Sequence, residues 1–296
     1  MKKNRVAQGL LSVALAAFCA VVLASEAPLM PDKVVQNRVF NNSFVPLGAS
    51  EHQETNVDLD NVKQFESGDK QVALLELYSS EGCSSCPPAD RWMSTWKDNP
   101  ALWKEMVPVV FHVDYWDWMG WKDRFAKPVF TQRQKAYNSA GLSNSVYTPG
   151  FFLNGEEWRG WFRQQKPISN SDNIVGNLKA LVRVENVSAT YFPDSTHVAA
   201  ADNGEFFLHI ALLGVDELVK VKHGENAGRA LNHDFVVLNY QKQSAKLGEG
   251  SVKWQLSLPT LDALSSTSPA GRKAIAMWVT QGQKIQPLQA TGAWLN

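Results

Sequence analysis

The sequence predicts an α/β domain followed by an all-β, sandwich-like domain. A continuous apolar run at residues 71–78 leads into a helix-forming segment and then a second apolar run at Met106–Val113, the strand–helix–strand order of a parallel pair. Beyond about residue 184, short segments rich in β-branched and aromatic residues are separated by Gly, Asn, Asp or Pro, which is typical of an antiparallel sandwich. The predicted domains are therefore residues 69–183 and residues 184–296.

The first 24 residues have the features of a secretory signal peptide. Three basic residues in the first five positions precede an apolar run from Leu10 to Leu23, and small residues predict cleavage after Ala24. The run is short for a membrane anchor and no basic cluster follows it, while Cys19 lacks the small preceding residue that lipid attachment requires. We predict a periplasmic or secreted protein with no membrane association after cleavage.

Residues 25–68 form a polar N-terminal extension that we expect to be partly ordered at most. The signal peptide carries three bases and no acid, so its removal leaves 26 basic against 29 acidic residues. This balance does not predict nucleic-acid binding.

Local signals also mark the elements of the first domain. Two prolines at 87 and 88 suit the first turn of a helix, where a missing N–H costs nothing. A second helix is predicted from about Pro128 to Ser139. An apolar strand then ends at Asn154-Gly155, a hairpin signal, with Trp158–Phe162 as the return strand.

The end of the first domain and the strands of the second are also predicted. Residues 171–183 begin with a Ser-Asp cap and carry apolar residues on one helical face, so a helix is expected there. The segments expected to be strands of the second domain are Glu205–Leu213, Asp234–Tyr240, Ser251–Leu258 and Lys273–Thr280.

The mature chain holds two cysteines, Cys83 and Cys86, placed after a predicted strand and before a predicted helix. The first sulfur then faces unpaired backbone N–H groups and the positive end of the helix dipole, which favour the thiolate. We expect Cys83 to be the exposed nucleophile and Cys86, one turn inside, to resolve the mixed disulfide. One tight pair closes no long loop, so it indicates chemistry and not structural stapling.

This arrangement resembles the thioredoxin fold, and Tyr78-Ser79 before the cysteine loop is similar to glutaredoxins. The resemblance implies that Pro149 is a cis-proline beside the cysteine pair and that the backbone of Thr148 pairs with an extended substrate. It also implies that Glu76, an acid in an apolar strand, relays a proton to the resolving cysteine.

Longer motifs resemble a family of exported bacterial proteins of uncharacterised function, whose members combine a thioredoxin-like domain with a β-rich C-terminal part. The motifs are ELYSSEGCSSCPPAD, FHVDYWDWMGWKDRFAKPVFTQRQKAY, VYTPGFFLNG and HGENAGRAL. They span most of the chain after about residue 70. The resemblance implies an α/β thioredoxin-like domain followed by the β-sandwich, and no established substrate.

These features predict an exported thiol–disulfide oxidoreductase that acts on protein thiols or disulfides together with an unknown redox partner. No cofactor is predicted, and a closed zinc site would need a second cysteine pair. One alternative is a copper-handling module in which Cys83 and Cys86 bind Cu(I) with His112. Another is a binding protein with a vestigial cysteine pair, in which the β-sandwich carries the binding function.

Each of four further features has two possible interpretations. His112 lies in an apolar strand and is more typical of a hydrogen-bonded core histidine than of a ligand. Glu76 could pair with a base or lie at a strand edge. The segment His223–Arg229 is predicted to be a structured hairpin connection and not a ligand site. An aromatic insert, either a core cover or a rim for extended polypeptide, carries Trp116, Trp118 and Trp121.

Overall fold

An eight-stranded mixed sheet runs through the protein, and its strands come from both halves of the chain. The computed structural model describes residues 62–167, 172–183, 186–199, 204–259 and 271–295. The predicted signal peptide, residues 1–24, and residues 25–61 of the predicted extension lie outside the described residues. In the described part of the chain, no helix has the length and apolar character needed to cross a membrane.

The strands and helices are numbered in chain order. The first half contains β1 (Lys63–Glu66), β2 (Ala73–Ser79), α1 (Pro87–Ser94), β3 (Met106–His112), α2 (Pro128–Ser139), β4 (Gly150–Leu153), β5 (Glu156–Glu157) and β6 (Gly176–Arg183). The second half contains β7 (Asn186–Pro193), α3 (Ser195–Ala199), β8 (Glu205–Val215), β9 (Glu217–Lys220), β10 (Ala230–His233), β11 (Val236–Lys246), β12 (Val252–Ser257), β13 (Arg272–Gln281) and β14 (Gln289–Trp294).

The unit around the cysteines has the predicted order of strand, loop, helix and strand. β2 and β3 are parallel, with Ala73 opposite Met106 and Ser79 opposite His112. The two strands are buried along their whole length, which explains their continuous apolar sequence. β4 pairs with β2 in the antiparallel sense, and the Asn154-Gly155 turn that joins β4 to β5 has positive φ at both residues, as predicted for a hairpin.

The predicted fold class, an α/β thioredoxin-like domain followed by a separate β-sandwich, is wrong. The strand order of the large sheet is β14-β13-β8-β11-β3-β2-β4-β5, and β11 pairs in parallel with β3 through Val236 and Val110. Strands on both sides of residue 184 therefore share one backbone hydrogen-bond ladder. The protein is mainly β, with three sheets and three α-helices in the residues that the structure describes.

The helix expected at residues 171–183 is a strand. Gly176–Arg183 forms β6, whose side chains alternate between buried and exposed, with Leu178, Ala180 and Val182 facing the core. This period of two is that of a strand covered on one face, and the helical spacing of the apolar residues was misleading. β6 lies between β1 and β7 in an antiparallel sheet of order β1-β6-β7-β12. The expected return strand at 158–162 is also absent, because Gly160–Arg163 is a 3₁₀ turn.

Two hydrophobic cores lie on opposite faces of the large sheet. Along β8, Leu208, Ile210 and Leu212 belong to the core shared with the four-stranded sheet, whereas Ala211 and Leu213 belong to the core that contains β2, β3 and α1. The four predicted segments of the second half are indeed strands: β8, β11 and β13 belong to the large sheet, and β12 belongs to the four-stranded sheet. The loop after β2 contacts the second half of the chain through Asn226.

Candidate functional site

The two cysteines lie in the loop between β2 and α1. Cys86 is the residue before the helix, and its carbonyl accepts the N–H groups of Ala89 at 2.9 Å and Asp90 at 3.0 Å. Its own N–H donates to the carbonyl of Cys83 at 3.2 Å, so one turn links the pair. The two prolines occupy the first helical positions, as predicted.

Both cysteines are free thiols and both are buried. Cys83 is 1% exposed and Cys86 is 0% exposed, while Ser84 and Ser85 between them are exposed. The expectation that Cys83 is exposed is therefore wrong. The sequence shows the loop and the helix but not the residues that cover them, and these come from distant segments.

The surroundings of the two thiols favour opposite protonation states. A hydrogen bond from the Cys86 thiol, supported by Ser85 and Thr148, overcomes burial and lowers the pKa of Cys83 from 9.0 to about 6. Burial and the neighbouring Cys83 raise the pKa of Cys86 well above its ordinary value, and the negative charge of Asp90 adds to this. Cys83 is thus the more acidic of the two thiols and Cys86 the less acidic, while the nucleophile and resolving roles stay predictions.

Thr148 and Pro149 lie next to Cys83, in the segment directly before β4. The Thr148–Pro149 peptide bond is cis, as the resemblance implies, and the Cys83 thiol lies 3.9 Å from the carbonyl oxygen of Thr148. The indole Nε1–H of Trp116 donates to Thr148 Oγ1 at 2.8 Å, and a Cβ at Gly82 would lie 3.0 Å from Trp116 Cβ. The aromatic insert therefore packs on the cysteine loop, although Trp118 is 78% exposed.

The second half of the chain holds the cysteine loop through Asn226. Its Nδ2 donates to the carbonyls of Glu81 at 2.8 Å and Cys83 at 2.9 Å, and the Asn226 side chain is fully buried. Arg229 donates to Asn226 Oδ1 at 2.9 Å, and the carboxylate of Glu225 accepts the N–H of Ser84 at 3.0 Å. The segment predicted to be only a hairpin connection thus contacts the cysteine site. The HGENAGRAL motif contains these residues, but no local pattern indicates what they touch.

Glu76 has partners on α2. Its carboxylate forms a buried ion pair with Arg133, with 2.7 Å between Oε1 and Nε, and accepts the hydroxyl of Tyr137. These contacts correspond to the interpretation of Glu76 as an acid paired with a base. The proposed proton relay stays a prediction, and the carboxylate whose charge acts on Cys86 is that of Asp90.

Asp90 belongs to a buried group of acids and histidines beside the loop. Ser79 Oγ donates to Asp90 Oδ1 at 2.7 Å, and His112 Nδ1 lies 2.7 Å from Asp123 Oδ2. Burial lowers the pKa of His112, but the Asp123 carboxylate outweighs it and raises that pKa to about 9. The prediction of a hydrogen-bonded core histidine at 112 is confirmed for Nδ1. Asp90, Asp123 and His233, the last residue of β10, were not predicted to belong to the site.

Sequence and structure comparisons place this site in a family whose function is unknown. The chain belongs to the family described as "Protein of unknown function (DUF1223)", which matches residues 74–279. A comparison with curated proteins finds no match.

Two solved structures are similar to this chain. The X-ray structure of protein AGR_C_4864 from Agrobacterium tumefaciens is 24% identical, with a TM-score of 0.50 over 77% of this chain and 96% of its own. HBP35 of Porphyromonas gingivalis is 14% identical, with a TM-score of 0.52 over 77% of this chain and 76% of its own. At these identities the similarity concerns the fold alone.

Proposed function

We propose that this protein is an exported thiol–disulfide oxidoreductase that uses Cys83 and Cys86 on protein thiols or disulfides. The observation that carries the proposal is the asymmetry of the pair: two adjacent free thiols, one with its pKa lowered to about 6 and the other with its pKa raised. A purely structural pair of buried cysteines has no need for this difference.

The reaction is two successive thiol–disulfide exchanges. The Cys83 thiolate attacks one sulfur of a partner disulfide, the partner S–S bond breaks, and the partner's other sulfur leaves as a thiolate that takes up a proton. Cys86 then loses its proton and attacks the sulfur of Cys83. The mixed disulfide breaks, and the partner leaves as a dithiol reduced by two electrons while Cys83 and Cys86 become a disulfide. Reversing both steps oxidises a partner dithiol.

Each thiol has a suitable environment for its step. Thiolate at Cys83 supplies the nucleophile at neutral pH, whereas a Cys86 that keeps its proton does not compete for the first attack. The cis Thr148–Pro149 segment borders the Cys83 sulfur, and Pro149 has no N–H to donate to it. Because Cys83 is buried, a partner reaches its sulfur only when the covering contacts open.

A redox titration of the purified mature protein tests the proposal. The protein is equilibrated in glutathione buffers of graded ratio, and mass spectrometry after alkylation counts the free thiols. We expect Cys83 and Cys86 to be oxidised together as one two-electron couple. The same samples are assayed for copper, because near-stoichiometric copper together with thiols that never oxidise would favour the copper-handling alternative.

Matched cysteine variants separate the roles of the two thiols. Cys86→Ala should accumulate mixed disulfides with glutathione or client proteins, since the resolving thiol is missing. Cys83→Ala is the control and should accumulate far fewer, because Cys86 keeps its proton. Equal trapping by both variants, or by neither, would refute the assignment of nucleophile and resolving thiol.

A further inference from the structure

Three side chains from distant parts of the chain meet in a buried cluster beside the cysteine loop. Asp90 comes from α1, His112 from the end of β3 and His233 from the end of β10, and one ligand atom of each lies within 4.8 Å of the others. Their exposed fractions are 6%, 0% and 1%. In the described part of the chain this is the one group of three or more His, Cys, Asp or Glu residues with such spacing, and it contains neither cysteine.

Two histidine nitrogens of the cluster are buried without a hydrogen-bond partner. Among the described residues, His112 Nε2 and His233 Nδ1 make no hydrogen bond, and the remaining buried nitrogen without one, His233 Nε2, lies 3.2 Å from a carboxylate oxygen of Glu81. Burying a polar atom without a partner is unfavourable, so two such atoms in one cluster need an explanation. The two imidazole rings are almost perpendicular, with their centroids 4.8 Å apart.

A carboxylate lies beside one ring nitrogen of each histidine. Asp123 Oδ2 contacts His112 Nδ1 at 2.7 Å, and Glu81 Oε1 lies 3.2 Å from His233 Nε2. The outer carboxylates are held in turn: the N–H of Phe125 binds Asp123, and the indole N–H of Trp121 binds Glu81 Oε2 at 2.6 Å. Carboxylates in this position orient metal-ligating histidines in many proteins and raise their basicity.

The charges of the cluster also favour a cation. Glu81, Asp90 and Asp123 are all buried, and each of their ion pairs within the described residues is with a histidine, not with Lys or Arg. A divalent ion bound between these groups would add positive charge beside the buried carboxylates.

We propose that Asp90, His112 Nε2 and His233 Nδ1 form a buried zinc-binding site, with Asp123 and Glu81 as its outer carboxylates. Asp90 Oδ2 and His233 Nδ1 are 4.0 Å apart. Zinc at about 2.0–2.2 Å from each ligand holds the ligand atoms roughly 3–4 Å apart, so a small inward movement of the side chains is enough. Two imidazoles and a carboxylate suit Zn²⁺ better than Ca²⁺ or Mg²⁺, which prefer oxygen ligands throughout.

An ion can approach this site along the face of α1. A cleft of about 430 Å³ is lined by Asp90 and Arg91 of the helix and by Leu231, Asn232 and Asp234 around the end of β10. Asp90 thus borders both the cleft and the cluster. Bound zinc would link α1, β3 and β10. It would therefore stabilise the contact between the cysteine loop and the second half of the chain.

The test begins with the wild-type protein, purified with a chelator and kept reduced. Zn²⁺ is titrated in competition with a chromogenic chelator, and X-ray absorption spectroscopy of the zinc-loaded protein reports the ligand atoms. We expect one zinc per chain with nitrogen and oxygen ligands and no sulfur. Sub-stoichiometric zinc, or a sulfur in the coordination shell, would overturn the proposal.

Variants assign the ligands and separate this site from the proposed redox function. His233→Gln should weaken zinc binding by at least about 100-fold and Asp123→Asn by about 10–100-fold. The matched control is His209→Gln, since His209 is also buried but is hydrogen-bonded to Tyr240 and Thr280 with no carboxylate. Equal loss of zinc in His209→Gln and His233→Gln would refute the assignment.

The double variant Cys83→Ser, Cys86→Ser allows the zinc site to be tested separately from the proposed redox function. It has no thiol chemistry, yet it should bind one zinc with wild-type affinity, because neither cysteine is in the cluster. Loss of zinc in this variant would overturn the His and Asp site. A wild-type protein that binds zinc as described but shows no thiol–disulfide exchange would leave the zinc site standing and remove the redox proposal.

Discussion

Asn226→Ala should make the buried Cys83 thiol reactive toward bulky reagents. Asn226 is fully buried, and its amide donates to two carbonyls of the cysteine loop, those of Glu81 and Cys83. In the closed state the variant leaves both carbonyls without these donors, whereas in an open state water satisfies them. The substitution therefore lowers the free energy needed to open the loop.

The size of this effect follows from the carbonyl of Glu81, because the Cys83 carbonyl still accepts the N–H of Cys86 at 3.2 Å in the variant. An unsatisfied buried carbonyl costs about 1–3 kcal/mol, so we expect loop opening to become easier by about that amount. At about 1.4 kcal/mol for each factor of ten, the population of the open state rises roughly 5- to 150-fold. When opening and closing are fast relative to the chemical reaction, the rate of modification rises by the same factor.

The assay measures modification of Cys83 in the reduced native protein at constant pH, by mass spectrometry of the peptide that contains it. Gln281→Ala is the control, because the buried side-chain amide of Gln281 also donates to a backbone carbonyl, that of His197 at 2.8 Å, and neither residue is hydrogen-bonded to the cysteine loop. The control should react like the wild type. If Asn226→Ala reacts within about threefold of the wild type, the argument that Asn226 closes the site is refuted.

Three other experiments address charges in and near the site. Because the pKa of Cys83 is lowered from 9.0 to about 6, its ionisation contributes stability that is fully present above pH 9 and is lost as the pH falls through about 6. Reduced wild type should therefore gain stability over Cys83→Ser between these pH values in urea unfolding, and a constant difference would contradict the lowered pKa. Glu76→Gln should lower the free energy of unfolding by about 3–5 kcal/mol, because the buried charge of Arg133 loses its partner; a loss below about 1 kcal/mol would contradict the buried ion pair. Asp90→Asn should lower the pKa of the Cys86 thiol, measured by its alkylation at graded pH in a Cys83→Ser background, since a negative charge is removed; an unchanged or higher value would show that Asp90 does not act on Cys86.

Local sequence patterns were sufficient for the elements around the cysteines. Apolar runs of strand length, two prolines at a helix start and an Asn-Gly turn depend on neighbouring residues only, so β2, α1, β3 and the β4–β5 hairpin could be predicted. The position of Cys83 and Cys86 between strand and helix followed from the same signals. The failure at β6 has a local cause as well. The segment carries both patterns: Leu178 and Leu181 fit a helical face, whereas Leu178, Ala180 and Val182 fit one face of a strand.

The partners of these elements were decided by the tertiary structure. Parallel pairing of β11 with β3 joins Val236 to Val110, and no local signal specifies which of several apolar strands will lie side by side. The choice depends on which apolar faces can cover each other in the complete fold. The sequence shows two independently plausible halves and so predicted two domains, whereas the core around β2 and β3 also includes residues of β8, β11 and β13.

The chemistry of the site also depends partly on local sequence and partly on the tertiary structure. The sequence by itself determined that a Cys-x-x-Cys pair stands at a helix start, because that depends on spacing alone. Only the tertiary structure decided that the pair is buried under Asn226, and that Asp90, His112 and His233 lie together beside it. Asn226 is more than a hundred positions from Cys83, and His233 is more than a hundred positions from Asp90 and His112. Burial, charge compensation and pKa depend on such neighbours through space, which spacing along the chain does not encode.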